Sequence, residues 1–124
     1  MKIYPLGVGG AFTKSNYHNN YIIQLDEKYM LIDAGTTLRY SLQEAGFNYS
    51  DIHFVFISHL HFDHVGGLEE MVLQRFWRFE EGKHTPLKTT IIIHEKLFNS
   101  LKLYYGMDWK IRTVQWMIFV ILFV

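Results

Sequence analysis

Phe54-Val55-Phe56-Ile57 is a run of four apolar residues that gives way at once to Ser58-His59-Leu60-His61-Phe62-Asp63-His64-Val65-Gly66-Gly67. An uninterrupted apolar run reads as a strand buried on both faces. Such a strand needs packed layers on either side, which directs the chain towards a layered α/β arrangement. The polar stretch that follows places three imidazoles and a carboxylate within six positions. Neutral imidazole and carboxylate are the usual nitrogen and oxygen ligands of zinc and similar divalent ions. His59 and His61 are two apart and point the same way in an extended segment. Asp63 keeps that alternation, and His64 breaks it and points elsewhere. One pair can then hold one ion while the other pair reaches a second ion close by. A two-metal site suits hydrolysis, because it holds a hydroxide and stabilises a leaving oxygen.

The chain around this stretch sorts into short elements. Lys2–Leu6 reads as a strand that Pro5 ends early or confines to an edge. Gly7, Gly9 and Gly10 form either a plain turn or a loop that brings backbone close to another group. Thr13–Asn20 is polar and loop-like, and His18 is expected to be a loop histidine. Tyr21–Leu25 and Tyr29–Ile32 flank Asp26-Glu27-Lys28 as a hairpin. Thr36 or Thr37 can cap a helix to about Ala45, stopped by Gly46. His53 begins the apolar strand at the end away from the motif and is expected to be structural. Gly66-Gly67 should open a helix to about Phe79, with Leu68, Met71, Val72 and Phe76 on one face. Glu80–Leu87 is expected to be a loop with an exposed His84. Lys88–His94 reads as a strand and Glu95–Tyr105 as a helix that Gly106 ends.

The His59-Leu60-His61-Phe62-Asp63-His64 segment resembles the His-x-His-x-Asp-His signature of the metallo-β-lactamase-fold hydrolases. Leu31-Ile32-Asp33-Ala34-Gly35 resembles that family's earlier strand-end motif. Leu6-Gly7-Val8-Gly9-Gly10-Ala11-Phe12 resembles the opening of its ribonuclease Z and cyclic-nucleotide phosphodiesterase branch. The likeness spans roughly residues 1–105 and only the first half of the family's fold. It implies one lobe of a four-layer αββα sandwich over residues 1–112, with His59, His61, Asp63 and His64 as metal ligands and Asp33 supporting them from behind. It further implies two zinc ions in a complete site, with manganese as the other candidate metal. A hydroxide held by the metals would attack phosphorus, and Asp63 would orient or deprotonate the attacking water. The implied substrates are phosphodiesters, RNA or a cyclic nucleotide, and the resemblance also allows a homodimer. In the family, a histidine, a bridging aspartate and a final histidine complete the site. After His64 this chain offers only His84, His94 and Asp108, none in a matching motif.

The rest of the composition sets bounds. Lys+Arg and Asp+Glu each number 12, so the net charge of zero gives no global case for nucleic-acid binding. With no cysteine, disulfides and thiolate metal sites are excluded. Met1–Pro5 carries no signal-peptide apolar core, and a cytoplasmic setting is expected. The tail, residues 113–124, is almost wholly apolar, far shorter than the roughly 20 residues of a membrane-spanning helix. It reads either as a buried strand or as an aberrant or truncated end. The resemblance and the missing second half of the site imply three alternative functions: a metal-dependent phosphodiesterase, a catalytically incompetent fragment of one, or a thioester or lactam hydrolase on the same fold.

Overall fold

The computed structural model describes residues 1–105 and 114–119. Strands β1 (Lys2–Pro5), β2 (Tyr21–Leu25), β3 (Lys28–Ile32), β4 (Phe54–Ile57), β7 (Thr89–His94) and β8 (Val114–Phe119) form one sheet in the order β1-β2-β3-β4-β7-β8. The β1–β2 and β2–β3 pairs are antiparallel; β3–β4, β4–β7 and β7–β8 are parallel. Parallel neighbours require crossovers, and helices α1 (Leu38–Glu44), α3 (Leu68–Phe76) and α4 (Glu95–Tyr105) lie in them. The result is the mixed α/β lobe expected from the sequence.

Period-two burial explains the layering. Ile22, Leu31, Val55, Ile57, Ile91 and Ile93 project to one face and pack with Leu38, Leu42, Leu68, Met71, Val72 and Leu101 of the helices. Each fully buried aliphatic side chain contributes about 1.5–3 kcal/mol. The opposite face carries Ile23, Met30, Ile32, Phe54, Phe56, Ile92 and Met117, all half-buried or exposed. β4 thus is apolar on both sides but covered by helices on one. Arg75 pins the helix layer down. It is buried and donates to Thr89 Oγ1, the Tyr49 carbonyl and the Lys88 carbonyl. Burial, with a smaller push from Arg78, lowers its pKa to about 10.

Several expectations need correction. Helix α3 ends at Phe76, three residues short of Phe79, and Phe79–Glu80 (β5) pairs with Lys83–His84 (β6) in a small hairpin. Its turn, Glu81-Gly82, has positive φ at both residues (50° and 78°), as a tight hairpin turn needs. The extended alternation from His61 to Asp63 is also broken: Phe62–Val65 is a helical turn (α2) for which His61 serves as N-cap. Gly46 does follow α1, with φ of 88°. Thr37 is the N-cap of α1, yet its hydroxyl makes no cap bond and accepts the His18 N–H instead, at 3.0 Å. The tail forms β8 through Phe119; the remaining tail residues, Gly106 and Asp108 lie outside the described residues. Among the described residues, no helix is long and apolar enough to cross a membrane.

Candidate metal centre

The parallel strands β3, β4 and β7 end at a common edge of the sheet, where Asp33, Ser58 and His94 follow or close them. Crevices at such strand ends are the usual ligand sites of α/β folds. Asp33 is the hinge of this edge. It is buried, with a left-handed backbone (φ 62°), a conformation that Asp tolerates better than most residues. Its Oδ1 accepts the Ser58 N–H at 2.8 Å. Its Oδ2 accepts the Ser58 hydroxyl at 2.6 Å and Nδ1–H of His64 at 2.8 Å. Ser58 Oγ also meets Nδ1 of His59 at 3.0 Å.

These contacts set the ring orientations. An ionised carboxylate only accepts, so His64 must carry its proton on Nδ1. Its hydroxyl proton given to Asp33, Ser58 accepts from Nδ1–H of His59. In its neutral form each ring then presents Nε2 as a bare acceptor nitrogen. Nε2 of His64 lies 3.1 Å from Oδ2 of Asp63. Two electron-rich atoms meet there, and their approach is favourable only with a positive centre between them, a proton or a divalent cation. The rings of His59 and His64 lie 3.6 Å apart by centroid, and those of His59 and His61 4.9 Å apart. His64 therefore does not point away from the others; the helical turn α2 swings it back onto His59. The donor set fits a divalent ion chemically. As the side chains stand, no three His, Cys, Asp or Glu among the described residues converge on one point.

Backbone contacts lock the motif loop to the loop after β3. Ala34 N–H donates to the His64 carbonyl (2.6 Å) and Gly67 N–H to the Ala34 carbonyl (2.8 Å). A side chain on Gly35 would place Cβ 2.3 Å from the Asp63 carbonyl oxygen, and one on Gly67 would place it 2.2 Å from the Gly35 carbonyl oxygen. Both positions are therefore restricted to glycine by close approach. Asn20, fully buried, completes the clamp: Oδ1 accepts the Gly35 N–H at 3.0 Å and Nδ2 reaches the Asp63 carbonyl at 3.4 Å.

Sequence reading missed Asn20 and the role of His18. His18 lies in the loop before β2, as expected, but its side chain is buried, with Nε2 2.7 Å from Thr36 Oγ1. No local pattern marks either residue; only their closeness to the strand that follows hints at burial. The structure brings His59, His61, Asp63, His64 and Asp33 together and leaves the other histidines out. His53 sits at the far end of β4, where Nδ1 accepts the Tyr29 N–H at 3.0 Å. His84 is exposed and stacks on Trp77. His94 shares the strand-end edge, but its Nδ1 accepts the Lys96 N–H and its ring meets Phe119.

Comparison with known proteins identifies the family and the fold. A family model described as "Anti-Pycsar protein Apyc1" matches residues 1–113. A curated relative with that description, from Paenibacillus harenae, is 42% identical over 92 residues, covering 74% of this chain and 38% of its own. The chain thus spans about two fifths of the length of that relative. Among solved structures, the metallo-beta-lactamase fold protein YhfI from Bacillus subtilis superposes with a TM-score of 0.72 at 16% identity, covering 94% of this chain and 45% of its own. A diphosphatase of the PhnP family gives 0.68 at 19% identity, covering 94% and 50%. Zn(2+)-bound PqqB from Methylobacterium extorquens gives 0.63 at 16% identity, covering 95% and 46%. The fold is that of the metallo-β-lactamase proteins.

Proposed function

The chain belongs to the Anti-Pycsar protein Apyc1 family, and from that premise we propose that it carries the motif half of a metal-dependent phosphodiesterase site whose substrate is a cyclic nucleotide. The observation that carries this reading is the Asp33 carboxylate. It fixes His64 and, through Ser58, His59, and Nε2 of His64 then faces Oδ2 of Asp63 at 3.1 Å. Carboxylates that hold ligating imidazoles in this way set both tautomer and orientation. Between the two phosphodiesters raised by the sequence, the net charge of zero favours a small cyclic nucleotide over a long RNA backbone.

His59 and His61 would hold one divalent ion, and Asp63 and His64 a second, zinc by family likeness with manganese as the alternative. Bound there, the ions would supply electrophilic stabilisation of phosphate oxygens and an acidified water. The chain's own residues do the rest. Asp63 orients the attacking water and takes up its proton. Asp33 and Ser58 keep Nδ1 of His64 and His59 protonated, so that neither ring can turn over. The clamp through Asn20, Gly35 and Gly67 holds both loops in place while charge develops on the phosphate.

One experiment tests the reading. Purified chain is loaded with zinc or manganese, its metal content measured by elemental analysis, and hydrolysis of 3′,5′-cyclic nucleotides followed beside the His61→Ala/Asp63→Ala double variant. Metal-dependent hydrolysis that the double variant loses supports the proposal. Hydrolysis that survives the double variant sinks it. A second reading, a weakly metal-binding chain without turnover, is favoured by the want of a third converging ligand among the described residues. It predicts less than one zinc per chain and no hydrolysis.

A further inference from the structure

Beside the motif stand two aromatic rings that the core does not use. Phe12 is 87% exposed and Phe62 is 43% exposed, and their centroids lie 6.0 Å apart at 45°. Phe62 sits between His61 and Asp63. Beneath it the buried His18 ring lies edge-on at 5.8 Å. The loop that presents Phe12 is pinned on both sides. Gly9 N–H donates to the Tyr17 carbonyl (2.8 Å), Thr13 N–H donates to the Gly10 carbonyl (3.3 Å), and His18 N–H reaches Thr37 Oγ1.

We propose that Phe12 and Phe62 form a stacking shelf for the planar base of the substrate, which makes Phe12 the residue that favours phosphodiesters carrying a base over those without one. This rests on the cyclic-nucleotide reading above. Ring separation decides the form of the site. A base sandwiched between two parallel rings needs them about 7 Å apart, twice the ~3.5 Å contact distance. At 6.0 Å and tilted, the pair cannot act as a clamp, but it offers one outer aromatic face. A base has such a face whatever its hydrogen-bonding pattern, so the shelf accepts purines and pyrimidines alike. Phe62 lies between His61 and Asp63 in the chain, so a nucleotide whose base rests on this shelf has the motif turn as its neighbour. The exposed Phe12 ring, held by a pinned loop rather than buried by collapse, has no comparable role in packing.

The test separates the shelf from the chemistry. Aromatic ring signals of the full chain are followed by NMR during titration with adenosine, which has a base and no phosphate, and with ribose as control. Adenosine is expected to shift the Phe12 and Phe62 signals and ribose to leave them. Phe12→Ala should weaken adenosine binding about fivefold to a hundredfold, and Phe12→Trp should restore it. In the metal-loaded protein Phe12→Ala should raise KM for cyclic AMP by a similar factor, leaving hydrolysis of ribose 3′,5′-cyclic phosphate, which lacks a base, unchanged. Equal adenosine affinity in wild type and Phe12→Ala overturns the shelf even if cyclic nucleotides are hydrolysed. Shifts at both rings in a chain that hydrolyses nothing support the shelf and overturn the hydrolase reading alone.

Discussion

Oδ2 of Asp33 lies 2.8 Å from Nδ1 of His64, joining positions 31 residues apart. The same oxygen takes the Ser58 hydroxyl, so one carboxylate ties the end of β3 to the motif after β4. Asp33→Asn keeps the size of the side chain but replaces one acceptor oxygen with a donor. Zinc affinity is expected to fall about 10- to 100-fold, read by equilibrium dialysis, with the fold retained by circular dichroism. Unchanged affinity would make Asp33 a loop anchor only.

Gly67→Ala should be severely destabilising. Its Cβ would meet the Gly35 carbonyl oxygen at 2.2 Å, and backbone cannot retreat as a flexible side chain can. Overpacking of this kind costs about 1–3 kcal/mol or more. Gly10→Ala is the control, since nothing lies within 4 Å of its Cβ position. Urea midpoints should drop sharply for the first and barely move for the second.

Asn20→Ala removes both partners of the clamp at once. The Gly35 N–H loses its acceptor in a buried setting, and a buried donor left unpaired costs about 1–3 kcal/mol. The predicted loss is of that size by urea unfolding, accompanied by weaker zinc binding because the two loops are no longer held in register. Loss of stability with zinc binding intact would confine Asn20 to the scaffold.

Stability should respond to pH through His53. Burial, then Lys28 and Arg75, lowers its pKa below the ordinary 6.5. The folded state therefore favours the neutral ring, whose Nδ1 accepts the Tyr29 N–H. A base with a depressed folded pKa binds more protons when unfolded, so its contribution is intact above pH 6.5 and is lost as pH falls below it. Wild type should lose more stability between pH 7.5 and 5 than His53→Asn, which offers an acceptor that does not titrate. Parallel pH profiles of the two would refute the assignment.

What could be read from the sequence follows a physical division. Runs of consecutive apolar residues announced β2, β3, β4 and β7, because burial of a strand is written in adjacent letters. The motif residues were legible by chemistry, though not by geometry. His61, Phe62 and Asp63 look extended by alternation, and only the backbone reveals that His61 caps a helical turn. Asn20 and His18 were read as loop residues, because a polar side chain buried by loops leaves no periodic trace. The β5–β6 hairpin was lost for a similar reason: two-residue strands are too short to show a period. Glu81-Gly82 was the available sign.

The left-handed backbone of Asp33 narrows its position in sequence space from two directions at once. The conformation admits glycine, asparagine and aspartate with little penalty. The hydrogen bonds to Ser58 and His64 call for two acceptor oxygens on one side chain, which only aspartate and glutamate possess. The two alphabets share a single letter. Drift at this position therefore has a readable direction: a descendant with glycine or asparagine here has kept the turn and given up the grip on the histidine.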